Sequence, residues 1–151
     1  MANKLRLQIL TADSVKHDEE VDMIIMRCIY EDMGRGKRSS VGEIGILPGH
    51  MPLSAVLGIS PFRIIKDGEE SIMAVYGGIV NVNQNTVTVL TEKAEWPGEI
   101  DRAMAEAALE QAEREIESQQ QDDTALRSNQ ISLRRALVQV EVSSYPLISR
   151  K

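Results

Sequence analysis

Two hydrophobic periods divide the chain near residue 96. In the first part apolar residues alternate with polar ones, as in Leu5–Leu10, and this two-residue period is typical of strands with one buried face. Further runs of strand length lie at Val21–Tyr30, Pro61–Ile65 and Ile79–Leu90. Since no helical segment separates these runs, we predict antiparallel strands packed as a β-sandwich.

Two short polar pairs predict the hairpin turns of this sheet. Asp67-Gly68, between two apolar runs, is a strong short-range hairpin signal. Gln84-Asn85 divides the last apolar run in two. Alternation then places the valines before this second turn on one face and the valines after it on another: Val80 and Val82, then Val87 and Val89.

After Trp96 the apolar residues recur at helical spacing. The first helix is predicted to carry an alanine-rich face: Ile100, Ala103, Met104, Ala107, Ala108, Ala112 and Ile116. A polar stretch at 118–124 ends it and offers Asp123 or Thr124 as the next N-cap. The second helix is predicted to carry Leu126, Leu133, Leu137 and Val140 on one face. We therefore predict a β-sandwich domain at 1–96, followed by an antiparallel two-helix hairpin at 97–151.

Charge is divided unequally between the two helices. Residues 99–123 hold nine acidic and two basic side chains, whereas residues 124–151 hold one acidic and five basic ones. This asymmetry favours antiparallel pairing and leaves a basic second helix for an acidic partner, although two solvated faces explain it equally well. An alanine face anchors weakly, because replacing a buried leucine by alanine costs about 2–5 kcal/mol. A movable hairpin and a permanently docked hairpin therefore both stay open.

Composition argues against several classes of protein. The net charge is −6 and aromatic residues make up 3%, which is unfavourable for a nucleic-acid-binding protein. No window approaches the roughly 20 apolar residues that cross a bilayer, so we predict a protein that does not span the membrane. Cys28 is the single cysteine and cannot form an internal disulfide.

No set of residues suggests catalysis. His50 follows Pro48-Gly49 in a predicted turn, where a histidine is more often a structural or contact residue than a catalyst. His17 lies beside three acidic residues that lack the spacing of metal ligands. Cys28 falls within a strand and is predicted to lie in the core. No nucleophile, base and orienting group come together, so we predict neither an enzyme nor a metal site.

Several motifs, in order and spacing, resemble those of the epsilon subunit of bacterial F-type ATP synthase. The specific ones are GEIGILPGHMPL at 42–53 and GGIVNV at 77–82, and the similarity extends from about residue 5 to residue 142. The resemblance implies the same β-sandwich and helical hairpin as the periodicity. It also implies a non-catalytic rotor subunit of a proton- or sodium-translocating complex, peripheral to the cytoplasmic face of the cell membrane, without a cofactor.

The resemblance implies contacts at the foot of the sandwich with the gamma subunit and the ring of c subunits. The residues that correspond are Glu43, Pro48, Gly49 and His50. The stretch Glu31–Ser40 is longer than the family usually has there, and we predict a flexible basic loop near the membrane end of the stalk. Its basic residues, which would contact ring loops or anionic head groups, are Arg35, Lys37 and Arg38.

For the hairpin, the resemblance implies a folded form and an extended form that restrains ATP hydrolysis. The extended form would contact the alpha/beta catalytic hexamer through basic residues of the second helix: Arg127, Arg134 and Arg135.

Some members of the family bind ATP on the folded hairpin through Ile-Asp, two variable residues and Arg-Ala. Here Ile100-Asp101 is present, but Met104-Ala105 occupies the Arg-Ala positions. Glutamines stand at two further positions that are arginine in such members, while Glu95 and Arg135 are retained: the glutamines are Gln111 and Gln139. Because each charge-assisted hydrogen bond contributes about 1.5–3 kcal/mol, we predict weak or absent ATP binding.

Two alternative functions remain at this point. One is a free-standing β-sandwich binding module with a helical oligomerisation tail, which would have no affinity for a gamma subunit. The other, less favoured, is an enzyme that uses His50.

Overall fold

The computed structural model describes residues 3–32, 37–118 and 122–145, with backbone alone at 30–32 and 37–41. Within these ranges eight strands precede two helices. The strands are β1 Leu5–Leu10, β2 Val15–Val21, β3 Met23–Asp32, β4 Lys37–Ile46, β5 Leu53–Lys66, β6 Glu69–Asn83, β7 Thr86–Leu90 and β8 Ala94–Glu95. A 3₁₀ turn at Pro97–Glu99 leads to helices α1 Arg102–Glu117 and α2 Asp123–Ser143. The predicted fold class, a β-sandwich followed by a two-helix hairpin, is confirmed.

The strands form one folded sheet in the order β2-β1-β7-β6-β5-β3-β4, with β8 paired to β6. Neighbouring strands are antiparallel with one exception, since β1 and β7 run parallel from Arg6 opposite Thr86 to Leu10 opposite Leu90. The sequence pattern did not predict a parallel pair because no crossover helix follows β1. β1 and β7 are instead connected by the whole segment from β2 to β6, which brings the chain back so that β7 runs beside β1 in the same direction.

Strands β5 and β6 are long enough to belong to both layers of the sandwich. The first half of β6 pairs with the second half of β5 and with β8, whereas its second half pairs with β7. Between the halves lie Gly77 and Gly78, with φ of 79° and 135°. The core fills the space between the layers and includes Leu7, Phe62 and Met73.

The four valines around the second hairpin turn all point into this core. Val80 lies opposite Val89 and Val82 opposite Val87, and all four are buried. The prediction that they occupy different faces is therefore wrong, because residues directly opposite each other in a hairpin share a face. The turns themselves lie where predicted: both residues of each pair have positive φ, as type I′ turns require (Asp67 and Gly68, Gln84 and Asn85).

Two strand boundaries differ from the sequence interpretation. The polar segment VKHDEEV forms β2, an edge strand that the alternation pattern missed. The predicted flexible loop Glu31–Ser40 is also wrong for most of its length, since β3 continues to Asp32 and β4 begins at Lys37. Backbone pairing between these strands thus replaces much of the loop.

Both helices begin at an aspartate N-cap. Asp101 accepts a hydrogen bond from the Met104 backbone N–H at 3.1 Å, and Asp122 accepts one from Ala125 at 2.7 Å. The second cap lies one residue before the predicted Asp123. Each side chain satisfies one of the backbone N–H groups that a helix start leaves unpaired.

The predicted buried faces of the helices need correction. In α1, Ala112 is buried as predicted and Ala105 is buried as well, whereas the predicted Ala103, Ala107 and Ala108 are exposed, and Met104 is 70% exposed. Alanines lie on several sides of this helix, so their period does not identify one face. In α2 the buried residues are Ala136, Val138 and Val142, while the predicted Leu137 is exposed.

Candidate functional site

The helical hairpin is folded against one outer face of the sandwich. Helix α2 lies on β5 and β6, and its Val138 and Val142 are buried against a cluster of outward-facing residues of β6: Ile72, Ala74 and Tyr76. Helix α1 makes its main contacts with α2. The hairpin is therefore anchored through valines of α2 rather than through the predicted alanine face of α1.

A polar network beside this cluster joins the sheet to α2. Tyr76 donates from Oη to Glu95 Oε1 at 2.5 Å, and Gln139 Nε2 donates to the same oxygen at 3.4 Å. Arg135 lies over the Tyr76 ring, 5.5 Å from its centre, and its Nη2 is 3.5 Å from Glu92. Burial, and then the hydrogen bond to Glu95, raise the pKa of Tyr76, so its hydroxyl stays a donor.

A second polar contact anchors the end of the hairpin. Tyr145 Oη donates to Glu70 Oε2 at 2.6 Å, and Arg63 pairs with the same carboxylate. Burial works to raise the pKa of Glu70, but the hydrogen bonds from Arg63 and Tyr145 outweigh it and lower the pKa. Glu70 thus stays ionised where the chain leaves α2.

A cavity of about 250 Å³ lies between the helices and the sheet, and includes Lys93, Ser132 and Gln139 in its lining. Of the predicted nucleotide positions, only Arg135 lines it. Glu95 accepts hydrogen bonds from two residues of the lining, Tyr76 and Gln139. Ile100 lies beside the apolar cluster and Asp101 caps α1, so the four positions do not all line this cavity.

The turn that contains His50 is built by local chemistry. His50 N–H donates to the Leu47 carbonyl at 3.1 Å, with Pro48 and Gly49 in the central positions and Gly49 at φ of 85°. This is the arrangement of a type II turn. The free N–H of Gly49 donates to Asn85 Oδ1 at 2.7 Å, so two sequence-distant turns are joined at this end of the sandwich.

The His50 ring is hydrogen-bonded to the backbone of the next residue. Its Nδ1 is 2.7 Å from the Met51 carbonyl oxygen, which fixes a proton on Nδ1. Leu47 and Met51 on either side are exposed at 54% and 73%. The turn thus presents two apolar side chains around the histidine.

The structure does not bring Glu43 to this turn. Glu43 lies within β4 and pairs with Arg27 of β3 at 3.4 Å. Three strand residues, about 10 Å, separate it from the end of β4. Lys37 and Arg38 begin β4 opposite Asp32 and Glu31, whereas Arg35 lies outside the described residues.

The three arginines of α2 have different environments. Arg127 and Arg134, two turns apart, are exposed, while Arg135 is partly buried on Tyr76. In the folded hairpin only the first two are thus fully available to another protein.

Sequence reasoning missed an apolar row on the outer face of the second layer. The row crosses six strands, with each residue directly opposite the next: Ile29, Val56, Ile79, Leu90, Leu10 and Val15. Ile79 and Leu90 are 55% and 53% exposed. At about 4.8 Å per strand the row is about 24 Å long. The available signal was that Ile79 and Leu90 are apolar at positions where alternation calls for polar residues.

One line of positions beside the outer apolar row is uncharged on four strands and ends at Asp18 of β2, which lies directly opposite Gln8. Ser54, Asn81, Thr88 and Gln8 form the adjacent line across four of the same strands. Charged residues are depleted at the centres of protein interfaces, so this surface suits a protein partner.

Two other kinds of site are absent from the part of the chain that the structure describes. No group of three or more His, Cys, Asp or Glu side chains there could hold a metal ion. No helix among those residues is long and apolar enough to cross a bilayer.

Comparison with known proteins gives consistent matches along the chain. Residues 36–97 match the family described as ATP synthase, Delta/Epsilon chain, beta-sandwich domain, and residues 99–144 match its long alpha-helix domain. The ATP synthase epsilon chain of Pediococcus pentosaceus is 38% identical over 93% of this chain and 96% of its own length. That of Bacillus licheniformis is 35% identical over 92% and 97%.

A solved structure has the same fold. A chain in the Euglena gracilis mitochondrial ATP synthase, in an assembly of OSCP, F1 and c-ring, aligns with a TM-score of 0.73 at 23% identity. The alignment covers 91% of this chain and 79% of that one.

Proposed function

The chain belongs to the epsilon chain family of bacterial F-type ATP synthases, and we propose that it connects the gamma subunit to the c-ring and restrains ATP hydrolysis through its helical hairpin. Members of this family are non-catalytic subunits of the central stalk. As part of that rotor, the protein would be peripheral at the cytoplasmic face of the cell membrane.

The outer apolar row carries the proposal. The hairpin covers one outer face of the sandwich, whereas the row and its uncharged neighbours are left exposed on the other. An elongated apolar surface of this kind fits a large protein subunit better than an ion, a nucleic acid or a lipid head group. We assign it to the gamma subunit, which must hold this protein firmly enough for the two to rotate together.

Co-purification with tagged gamma subunit tests this assignment. Ile79→Lys places a charge in the middle of the row, and binding should fall at least tenfold. Ser71→Lys is the matched control, because Ser71 is exposed on the same strand but lies outside the row and its uncharged neighbours. If Ile79→Lys binds as well as the wild type, the row is not the gamma-binding surface. If the wild-type chain does not bind gamma, the free-standing module gains support.

We propose that the turn at 47–51 contacts the c-ring. The turn is fixed by its own hydrogen bonds and by Asn85, so its exposed Leu47 and Met51 are presented in a defined shape. Glu43 would add a polar contact to the c-ring. Lys37 and Arg38 begin β4 about 30 Å before its end at Ile46, so we propose that they, together with Arg35 outside the described residues, contact a separate part of the ring or anionic head groups. Met51→Asp should weaken assembly on c-ring-containing membranes while leaving gamma binding intact. Equal assembly of Met51→Asp and the wild type would contradict this.

The folded hairpin supports a regulatory role. It is held by a small apolar cluster and a few hydrogen bonds, so its release requires no unfolding of the sandwich core. Once released, the hairpin could reach the alpha/beta hexamer through Arg127, Arg134 and Arg135. Val138→Glu should release the hairpin and lower ATP hydrolysis by the assembled complex. Leu137→Glu, a charge at the exposed neighbouring position, is the control and should keep the wild-type rate.

We also propose that the protein binds ATP weakly or not at all. Arg135 is engaged with Tyr76 and Glu92, and Gln139 donates its amide to Glu95. The positions of the missing arginines hold uncharged side chains: Met104, Gln111 and Gln139. Calorimetry on the full chain should detect no binding at micromolar ATP, and a micromolar Kd would refute the proposal.

A further inference from the structure

Strand β2 contacts the connection between the sandwich and the hairpin. The connection is Trp96–Glu99, whose 3₁₀ turn is closed by Glu99 N–H donating to the Trp96 carbonyl at 3.0 Å. The Glu99 carboxylate accepts from the Trp96 N–H at 3.1 Å and pairs with Lys16 of β2 at 2.5 Å. Strand β2, which the sequence pattern did not predict, therefore stabilises the segment that leads from the sandwich into the hairpin.

His17, next to Lys16, lies against Trp96. The two rings are 5.6 Å apart and inclined by 62°, in an edge-to-face arrangement. His17 Nε2 is buried and has no hydrogen-bond partner among the described residues. Trp96 packs in turn on the edge of the core.

The charges around His17 come from its own strand and from β5. Asp18 and Glu19 on β2 favour the protonated imidazole, while Lys66 of β5, which pairs with Glu19 at 2.9 Å, disfavours it. Burial is the largest effect, and it lowers the pKa of His17 from its ordinary value near 6.5. The geometry explains the direction, because an imidazolium must donate from both nitrogens and Nε2 faces no acceptor.

We propose that His17 and Trp96 form a pH-sensitive clamp, in which protonation of His17 in mildly acidic solution loosens the connection and makes the hairpin easier to release. The sign follows from linkage. The pKa of His17 is lower in the folded protein than in the unfolded chain. The clamp is therefore fully stable above about pH 6.5, and its stability decreases as pH falls from there to the lowered pKa. The consequence for ATP hydrolysis rests on the proposed function, but the clamp does not.

The composition of the chain provides a direct test. Trp96 is the only tryptophan, and the chain has two histidines. Acrylamide quenching of Trp96 fluorescence in the full chain should increase at least twofold between pH 7.5 and pH 5.5. The change should disappear in His17→Gln and persist in His50→Gln. Equal quenching at both pH values, or an unchanged response in His17→Gln, would overturn the proposal.

Hydrogen exchange measures the effect on the hairpin itself. After correction for the intrinsic pH dependence of exchange, amides at 138–142 should exchange several-fold faster at pH 5.5 than at pH 7.5 in the wild type, and at equal rates in His17→Gln. Equal rates in the wild type would overturn the link to hairpin release. If His17→Gln does not fold, NMR of the wild type decides instead, because the His17 ring and the Trp96 indole must titrate with one midpoint below 6.5.

The pH-sensitive clamp and the proposed function can be refuted independently of each other. Both measurements use the full chain without partners, so they do not depend on gamma binding. Gamma co-purification at pH 7.5 should be the same for His17→Gln and the wild type, since the outer apolar row lies on a different face.

Discussion

Among the glycines that the structure describes, Gly78 is the position at which one added methyl group should damage the fold most. An ideal Cβ there would lie 2.1 Å from the Leu90 carbonyl oxygen and 3.0 Å from the Thr91 Cα. Both neighbours are backbone atoms, so no side-chain rotation relieves the clash. The φ of 135° is also one that residues with a side chain rarely adopt.

The expected loss for Gly78→Ala is about 3–5 kcal/mol. Backbone strain at such a φ contributes about 1–3 kcal/mol. Moving β7 away weakens its hydrogen bonds with β6, each of which contributes about 0.5–1.5 kcal/mol. Since small domains are stable by about 5–15 kcal/mol, this variant should lie near the limit of folding.

Two other glycines provide matched controls. Gly77→Ala has a positive φ of 79°, but its nearest neighbour is an ordinary 3.7 Å away, so the loss should be about 1–2 kcal/mol. Gly98→Ala meets nothing within 4 Å and should change stability by less than about 0.5 kcal/mol. Urea unfolding followed by far-ultraviolet circular dichroism measures all three. If Gly78→Ala costs no more than Gly77→Ala, the close approach to Leu90 does not limit this strand.

Three further predictions concern the docked hairpin. Tyr76→Phe leaves the Glu95 carboxylate without its shortest hydrogen bond and should destabilise hairpin docking by about 1–3 kcal/mol, measured by hydrogen exchange of α2; unchanged exchange would contradict it. Val142→Ala removes two fully buried methyl groups and should cost about 2 kcal/mol in urea unfolding, more than Val140→Ala at a half-buried position. The hydrogen bond from Lys16 lowers the pKa of Glu99 below its ordinary 4.5, so its stabilising effect is complete above that pH and is lost as pH falls through the lowered value. Glu99→Gln should therefore remove part of the loss of stability as pH falls below about 4.5, and an identical acid profile for the variant would refute this.

Local features of the fold could be predicted from the sequence because they depend on neighbouring residues. Leu5–Leu10 is a strand with the expected buried face, and Asp67-Gly68 forms the expected turn. The second helix begins at an aspartate cap, Asp122, one residue before the predicted Asp123. In each case the determining interaction spans a few residues, and the residue types fix its geometry.

The predictions failed where distant segments decide the outcome. β2 is polar, and it is a strand because it pairs with β1 rather than because of its own pattern. The buried side of α1 follows from where α2 lies, since alanines on several sides are all compatible with burial. The pairing of Glu43 with Arg27 likewise depends on the register of β3 and β4, which the sequence pattern does not give.

The sequence by itself determined the architecture, the turns and the family of this protein. The tertiary structure decided which side chains meet. The outer apolar row exists only once the register of six strands is set, and the contact between His17 and Trp96 joins residues that are 79 positions apart. The physical reason is that alternation and turn chemistry act over a few residues, whereas register and packing depend on contacts that form only when the whole sheet has closed.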